Sequence, residues 1–139
     1  MKREAIAIVT DEHLAQESMA IVEKYEVFLN YAYPKIQNCP RRHGVVRDVV
    51  LQALAAPVDG FYAAGKSGQI SRLYAVDASL ASIRFWLRFL AHPDRRVITP
   101  HQQSVALRHL AEVGRMLGAW IAKVRSASGK RASAAGDGG

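Results

Sequence analysis

A chain of 139 residues, half of them hydrophobic, has material for one domain with one core and too little for two. With 22% charged residues most of the length is not expected to be disordered, and no apolar run is long enough to span a bilayer. The net charge is +7, and the single Cys39 excludes an internal disulfide. The start of the chain lacks the apolar core and cleavage site of a signal peptide, so a soluble cytoplasmic protein is expected.

The charge is unevenly spread. Residues 1–30 carry Lys2, Arg3 and Lys24 against Glu4, Asp11, Glu12, Glu17, Glu23 and Glu26, a balance of −3. The remaining residues carry sixteen basic and six acidic side chains, a balance of +10. Segregated positive charge on a soluble protein points to a polyanionic partner.

Four amphipathic segments follow in order. The first spans about residues 11–36, with Asp11 as its N-cap and Leu14, Ile21, Tyr25, Phe28, Ala32 and Ile36 on one stripe. Pro34 lies in its last turn, and Asn38 and Pro40 stop it. The second spans about residues 45–64, its apolar face formed by Val46, Val49, Val50, Leu54 and Phe61. Pro57 removes one backbone hydrogen bond inside it, and Gly65 and Gly68 are expected to end it in a turn. Residues 1–10 read as a flexible extension ahead of a bundle over residues 11–125.

The third segment, about residues 70–91, carries more apolar surface than one face needs. Ile83, Phe85, Trp86, Leu87, Phe89 and Leu90 crowd its second half, leaving Asp77, Arg84 and Arg88 as a narrow polar strip. A bundle helix needs about a third of its circumference apolar, so this one calls for cover on a second side, and a subunit interface is the favoured reading. The fourth opens at Thr99-Pro100, a good N-cap followed by a proline suited to the first helical position. Val105, Leu110, Val113, Leu117, Trp120, Ile121 and Val124 form its core face, and residues 126–139 read as a disordered tail. Four helices with short links and no strand give an all-α, antiparallel, up-down-up-down four-helix bundle.

Little in the sequence points to catalysis. Residues 60–67 (GFYAAGKS) fit the phosphate-loop pattern GxxxxGK[ST], but that loop needs a preceding strand and a flexible backbone. Here an amphipathic helix precedes it, Phe61 and Tyr62 fill it, and no apolar strand ends in a magnesium-binding aspartate. The five histidines form no metal-ligand pattern. Cys39 and His43 are four apart, but Pro40 and a helix break separate them and no third group orients them. The chain reads as a non-enzyme without cofactor or metal.

The basic clusters carry the remaining signal. Arg41, Arg42, His43 and Arg47, with Lys35, gather at the first link and the start of the second helix, where exposed amides and guanidinium groups suit phosphate. Lys66 and Arg72 flank the next turn, Arg95 and Arg96 occupy the third link, and Arg108 and Arg115 share a face of the fourth helix. Arg108 and Arg115 are nucleic-acid contacts or surface partners of Glu112. Arg84 and Arg88 are contact residues for another protein or buried partners of Asp77.

The segments VEKYEVFLNYAYP (22–34), CPRRHGVVRD (39–48), AAGKSGQISRLYAVDASLASIRFWLRFLA (63–91), TPHQ (99–102) and AEVGRMLGAWIAKV (111–124) resemble the accessory variability determinant (Avd) family of diversity-generating retroelements. The likeness covers about residues 19–125; Pro57, Gly60 and the two ends depart from it. It implies a homopentameric barrel with a positive surface that binds a reverse transcriptase, RNA and DNA and serves mutagenic retrohoming without catalysing it. Arg84 and Arg88 then become candidates for the reverse-transcriptase or subunit contact. The competing reading is a self-associating bundle whose partners are all proteins.

Overall fold

Apolar residues recurring every three or four positions fold inward, and they do so here in four successive helices. The computed structural model describes the backbone of residues 2–137 and the side chains of residues 18–129. The helices are α1 (Lys2–Gln37), α2 (Gly44–Ser67), α3 (Ile70–Ala91) and α4 (Pro100–Asp137), with one 3-10 turn at Arg41–His43, and no strand occurs among the described residues. α1 packs on α2 and α4, and α3 packs on the same two, while among the described residues the diagonal pairs make no backbone contact. This is a four-helix bundle with antiparallel neighbours. Among the described residues no helix is long and apolar enough to cross a membrane.

The core is one continuous cluster. α1 contributes Ile21, Tyr25, Phe28, Ala32 and Ile36, and α3 contributes Leu73, Val76, Leu80, Ile83, Leu87 and Leu90, all buried. Leu14, also expected on the α1 stripe, has its side chain outside the described residues. Tyr25 packs on Phe28 and Phe61 at ring-centroid separations of 5.5 and 5.7 Å. Its hydroxyl donates to the Leu54 carbonyl in α2, and burial pushes its pKa well above the ordinary tyrosine value. α2 continues unbroken through Pro57, which is itself buried.

Two glycines set how closely α2 lies against its neighbours. A Cβ placed on Gly60 would stand 2.6 Å from Val76 Cγ2 of α3. One placed on Gly65 would stand 2.9 Å from Ser18 of α1, with the Trp120 ring 4.0 Å away. The Gly65 expectation is therefore corrected: α2 does not stop there but runs to Ser67, and Gly68 is the residue that turns the chain, with φ +65° and its N–H on the Ala64 carbonyl at 2.9 Å.

Other boundaries also differ from the sequence reading. α1 begins at Lys2, so Asp11 lies inside the helix and not at its cap, and α4 continues to Asp137. Alanine, lysine and arginine in both segments favour helix, and no proline interrupts either. In α4 the inward position belongs to buried Ala106, with Val105 half-buried beside it. The α4 start is as expected: Gln102 N donates to Thr99 Oγ1 at 3.0 Å and Thr99 N donates to Gln102 Oε1 at 2.9 Å, a reciprocal capping box.

Two stability tests follow. Gly118 has open space where a Cβ would go, so Gly118→Ala should stabilise by up to about 1 kcal/mol from helix propensity alone. Gly60→Ala gains the same propensity but must displace the stiff Val76, so urea denaturation should place it about 1–3 kcal/mol below Gly118→Ala. Tyr25→Phe removes a net hydrogen bond and should cost about 1 kcal/mol at neutral pH. Because the folded pKa of Tyr25 is raised, its contribution is intact below the ordinary value of 10.0 and is lost as pH rises beyond it. The variant should therefore show a shallower loss of stability above pH 10.0 than the parent.

Candidate nucleic-acid interface

Chain direction decides which charges can act together. In an up-down bundle the α1–α2 and α3–α4 links lie at one end, and the α2–α3 turn lies at the other. Contacts bear this out: Tyr31 of α1 meets His109 of α4 at 5.7 Å between ring centroids near the paired links, whereas Ser18, Gly65 and Trp120 meet near the opposite turn.

The described charges divide sharply along this axis. Residues 33–51 and 84–108, which build the paired-link end, carry Lys35, Arg41, Arg42, Arg47, Arg84, Arg88, Arg95, Arg96 and Arg108 against Asp48 and Asp94 alone. Residues 18–26, 59–77 and 112–125 carry six basic and five acidic side chains. The other residues between 18 and 129 are uncharged, so the positive field of this part of the bundle comes almost entirely from one end.

The expected site residues fall on both sides of this division. Arg41, Arg42 and His43 form the 3-10 turn and Arg47 the first turn of α2, all at the basic end. Pro40 opens the turn with extended backbone, which brings the two adjacent arginines to the surface. Arg42 Nε donates to His43 Nε2 at 3.2 Å, and Arg47 Nε donates to Asp48 Oδ1 at 3.1 Å on the surface. Arg108 lies in the third turn of α4 at the same end, exposed and without an ion pair among the described residues. Lys66 and Arg72 lie at the opposite end, around the α2–α3 turn. Arg115 lies in the charge-balanced half and is bound to Glu112, its Nε 3.2 Å from Oε1. That hydrogen bond and the adjacent guanidinium charge hold the exposed Glu112 carboxyl below its usual range.

Arg84 and Arg88 do not pair with Asp77, and all three lack an ion pair among the described residues. Asp77 is two helical turns from Arg84, about 10 Å along the axis, too far for an ion pair. Arg84 instead lays its guanidinium over α4, where a Cβ on Gly114 would be 3.0 Å from Nη2. Gly114, having no side chain, makes room for this cation.

Arg95 and Lys35 are both held in place by aromatic rings. Arg95 donates from Nε to the Phe89 carbonyl at 2.8 Å, with its guanidinium 3.6 Å from the Phe89 ring centroid. Lys35 donates to the Tyr31 carbonyl at 3.0 Å, with Nζ 3.7 Å from that ring centroid. Neither arrangement needs a carboxylate, so both cations keep their charge available.

The resulting surface offers positive charge from side chains on four helices and two links. Among the described residues no group of His, Cys, Asp or Glu gathers to hold a metal. The GFYAAGKS segment that matched the phosphate-loop pattern is helical from Gly60 to Ser67, with both glycines used for packing, so it does not form such a loop.

No curated protein matches the sequence. A family model described as bAvd-like matches residues 19–124, which take in α2, α3 and the packed parts of α1 and α4. The match extends over about three quarters of the chain, and the protein belongs to the bAvd-like family.

Proposed function

We propose that this chain is a non-catalytic accessory subunit of a diversity-generating retroelement. It binds the element's reverse transcriptase and holds template RNA and cDNA on its basic end during mutagenic reverse transcription. Family membership supports the role, and the concentration of nine basic side chains against two acidic ones at one end supports the nucleic-acid contact. The subunit works in this reading as a homo-oligomer, a pentamer by family likeness, with Arg84 and Arg88 facing the polymerase or a neighbouring copy. Its expected location is the cytoplasm, where the element is transcribed and copied.

The mechanism is electrostatic. Guanidinium groups displace counterions from the phosphate backbone, so affinity depends on salt and little on sequence. Arg41, Arg42 and Arg47 present adjacent charges from a rigid turn and helix start, which fixes the path of the backbone. A self-associating scaffold with only protein partners is favoured by one observation, the second apolar face of α3, but it leaves the one-sided charge without a purpose.

The test is binding of a labelled structured RNA to the intact protein across a salt series. Replacing Arg41, Arg42 and Arg47 together by alanine should weaken binding at least tenfold and lower the slope of log affinity against log salt by about 2–3. The double change Lys66→Ala and Arg72→Ala, at the other end, should leave both nearly unchanged. Full affinity in the triple variant, or an equal loss in the double variant, would overturn the assignment to the basic end. Absence of RNA binding at every salt concentration would leave the scaffold reading.

A further inference from the structure

The basic end also carries an aromatic surface that the core covers only in part, Trp86 and Phe89 packing against it and Phe85 standing outside. Phe85 is 46% exposed, and Trp86 and Phe89 are half-buried at the flank of α3. The three rings form one cluster, with centroids 5.1 Å apart for Phe85–Trp86, 5.5 Å for Trp86–Phe89 and 6.2 Å for Phe85–Phe89. Arginines border it: Arg95 lies on the Phe89 ring, and the Arg88 guanidinium stands 5.7 Å from the Phe85 centroid. Across from it on α2, the antiparallel register set by Gly60 and Val76 brings exposed Val45 and Val49 level with α3's last turns.

Resting on the nucleic-acid reading above, we infer that this patch receives unpaired bases, so that the protein prefers single-stranded RNA or DNA to duplex. A base has a π-face that stacks on an aromatic ring whatever its sequence, and the phosphates beside it need cations. Exposed Phe85 and the adjoining Trp86 supply the rings, and Arg88 and Arg95, 5.7 Å from the Phe85 centroid and 3.6 Å from the Phe89 centroid, supply the cations beside them. In a duplex the bases are already stacked on one another, so only the phosphate contacts remain available. Charge chooses between partners here. An apolar protein surface laid over the patch would take Arg88 and Arg95 out of water without a counter-charge, at substantial cost. A nucleic acid brings its phosphates with it.

The protein carries its own reporter. Trp120 is buried at the far end, whereas Trp86 is part of the patch, so quenching of intrinsic fluorescence by a bound base reads Trp86. The experiment titrates intact protein with a 20-nucleotide oligo(dT) and with a 20-base-pair duplex at the same ionic strength. Oligo(dT) should quench the fluorescence and the duplex should not. Phe85→Ala removes an exposed ring without opening the core, and it should lower affinity for oligo(dT) about tenfold while leaving duplex affinity unchanged. Equal affinities for both probes, no quenching by bound oligo(dT), or a Phe85→Ala variant that loses its oligomeric mass but not its oligo(dT) affinity would overturn the stacking site. The last of these would make the patch a contact between copies. If neither probe binds at low salt, the nucleic-acid reading itself fails, an outcome distinct from all of these.

Discussion

The close approach of α2 to both of its neighbours is the constraint on which the rest of the bundle depends. Gly60 lets Val76 of α3 come within the space a methyl group would fill, and Gly65 does the same for Ser18 of α1. The two contacts lie on different faces of one helix and fix its height against both partners at once. With that height set, Tyr25 reaches the Leu54 carbonyl and Phe61 closes on Tyr25. The links at the far end are then level, so the arginines of the 3-10 turn and those after α3 belong to one surface. A register shift of one turn, about 5.4 Å, would separate them by more than half a Debye length at physiological salt.

Charge and packing are divided along the same axis. The half in which Gly60 and Gly65 seat Val76 and Ser18 is nearly neutral, and the positive charge collects at the end with the longer links. Concentrating like charges destabilises a compact state. Here the cost is moderated locally: Arg95 and Lys35 are drawn over aromatic rings and backbone carbonyls, Arg42 onto His43 and Arg47 onto Asp48. Arg84 is accommodated by the missing side chain of Gly114.

Much of this was legible in the sequence, because a helix with one wet face writes its core at regular spacing. All the α1 positions within the described side chains were correctly read, as were Thr99 and Pro100 at the start of α4. The glycines were harder. Gly65 looked like a stop because glycine most often ends helices, and only the nearness of Ser18 explains why it sits inside one. The helical ends were not read because neither residues 2–10 nor residues 126–137 repeat their apolar side chains at helical spacing. The site was half legible. Basic residues were found wherever they clustered, but sequence order does not say that Lys66 and Arg72 face away from Arg41, whereas chain direction in a bundle does. The surplus of apolar residues on α3 was visible as a pattern, and the cations lying on its rings were not, since Arg95 reaches Phe89 only through the turn after the helix.

The antiparallel order has a practical corollary. α1 starts, and α4 finishes, at the end remote from the arginine-rich links. An affinity handle, a fluorophore or a solid support joined at either terminus therefore leaves the basic surface pointing outward. A film of molecules anchored in this way would share one orientation and present a uniformly cationic face to solution.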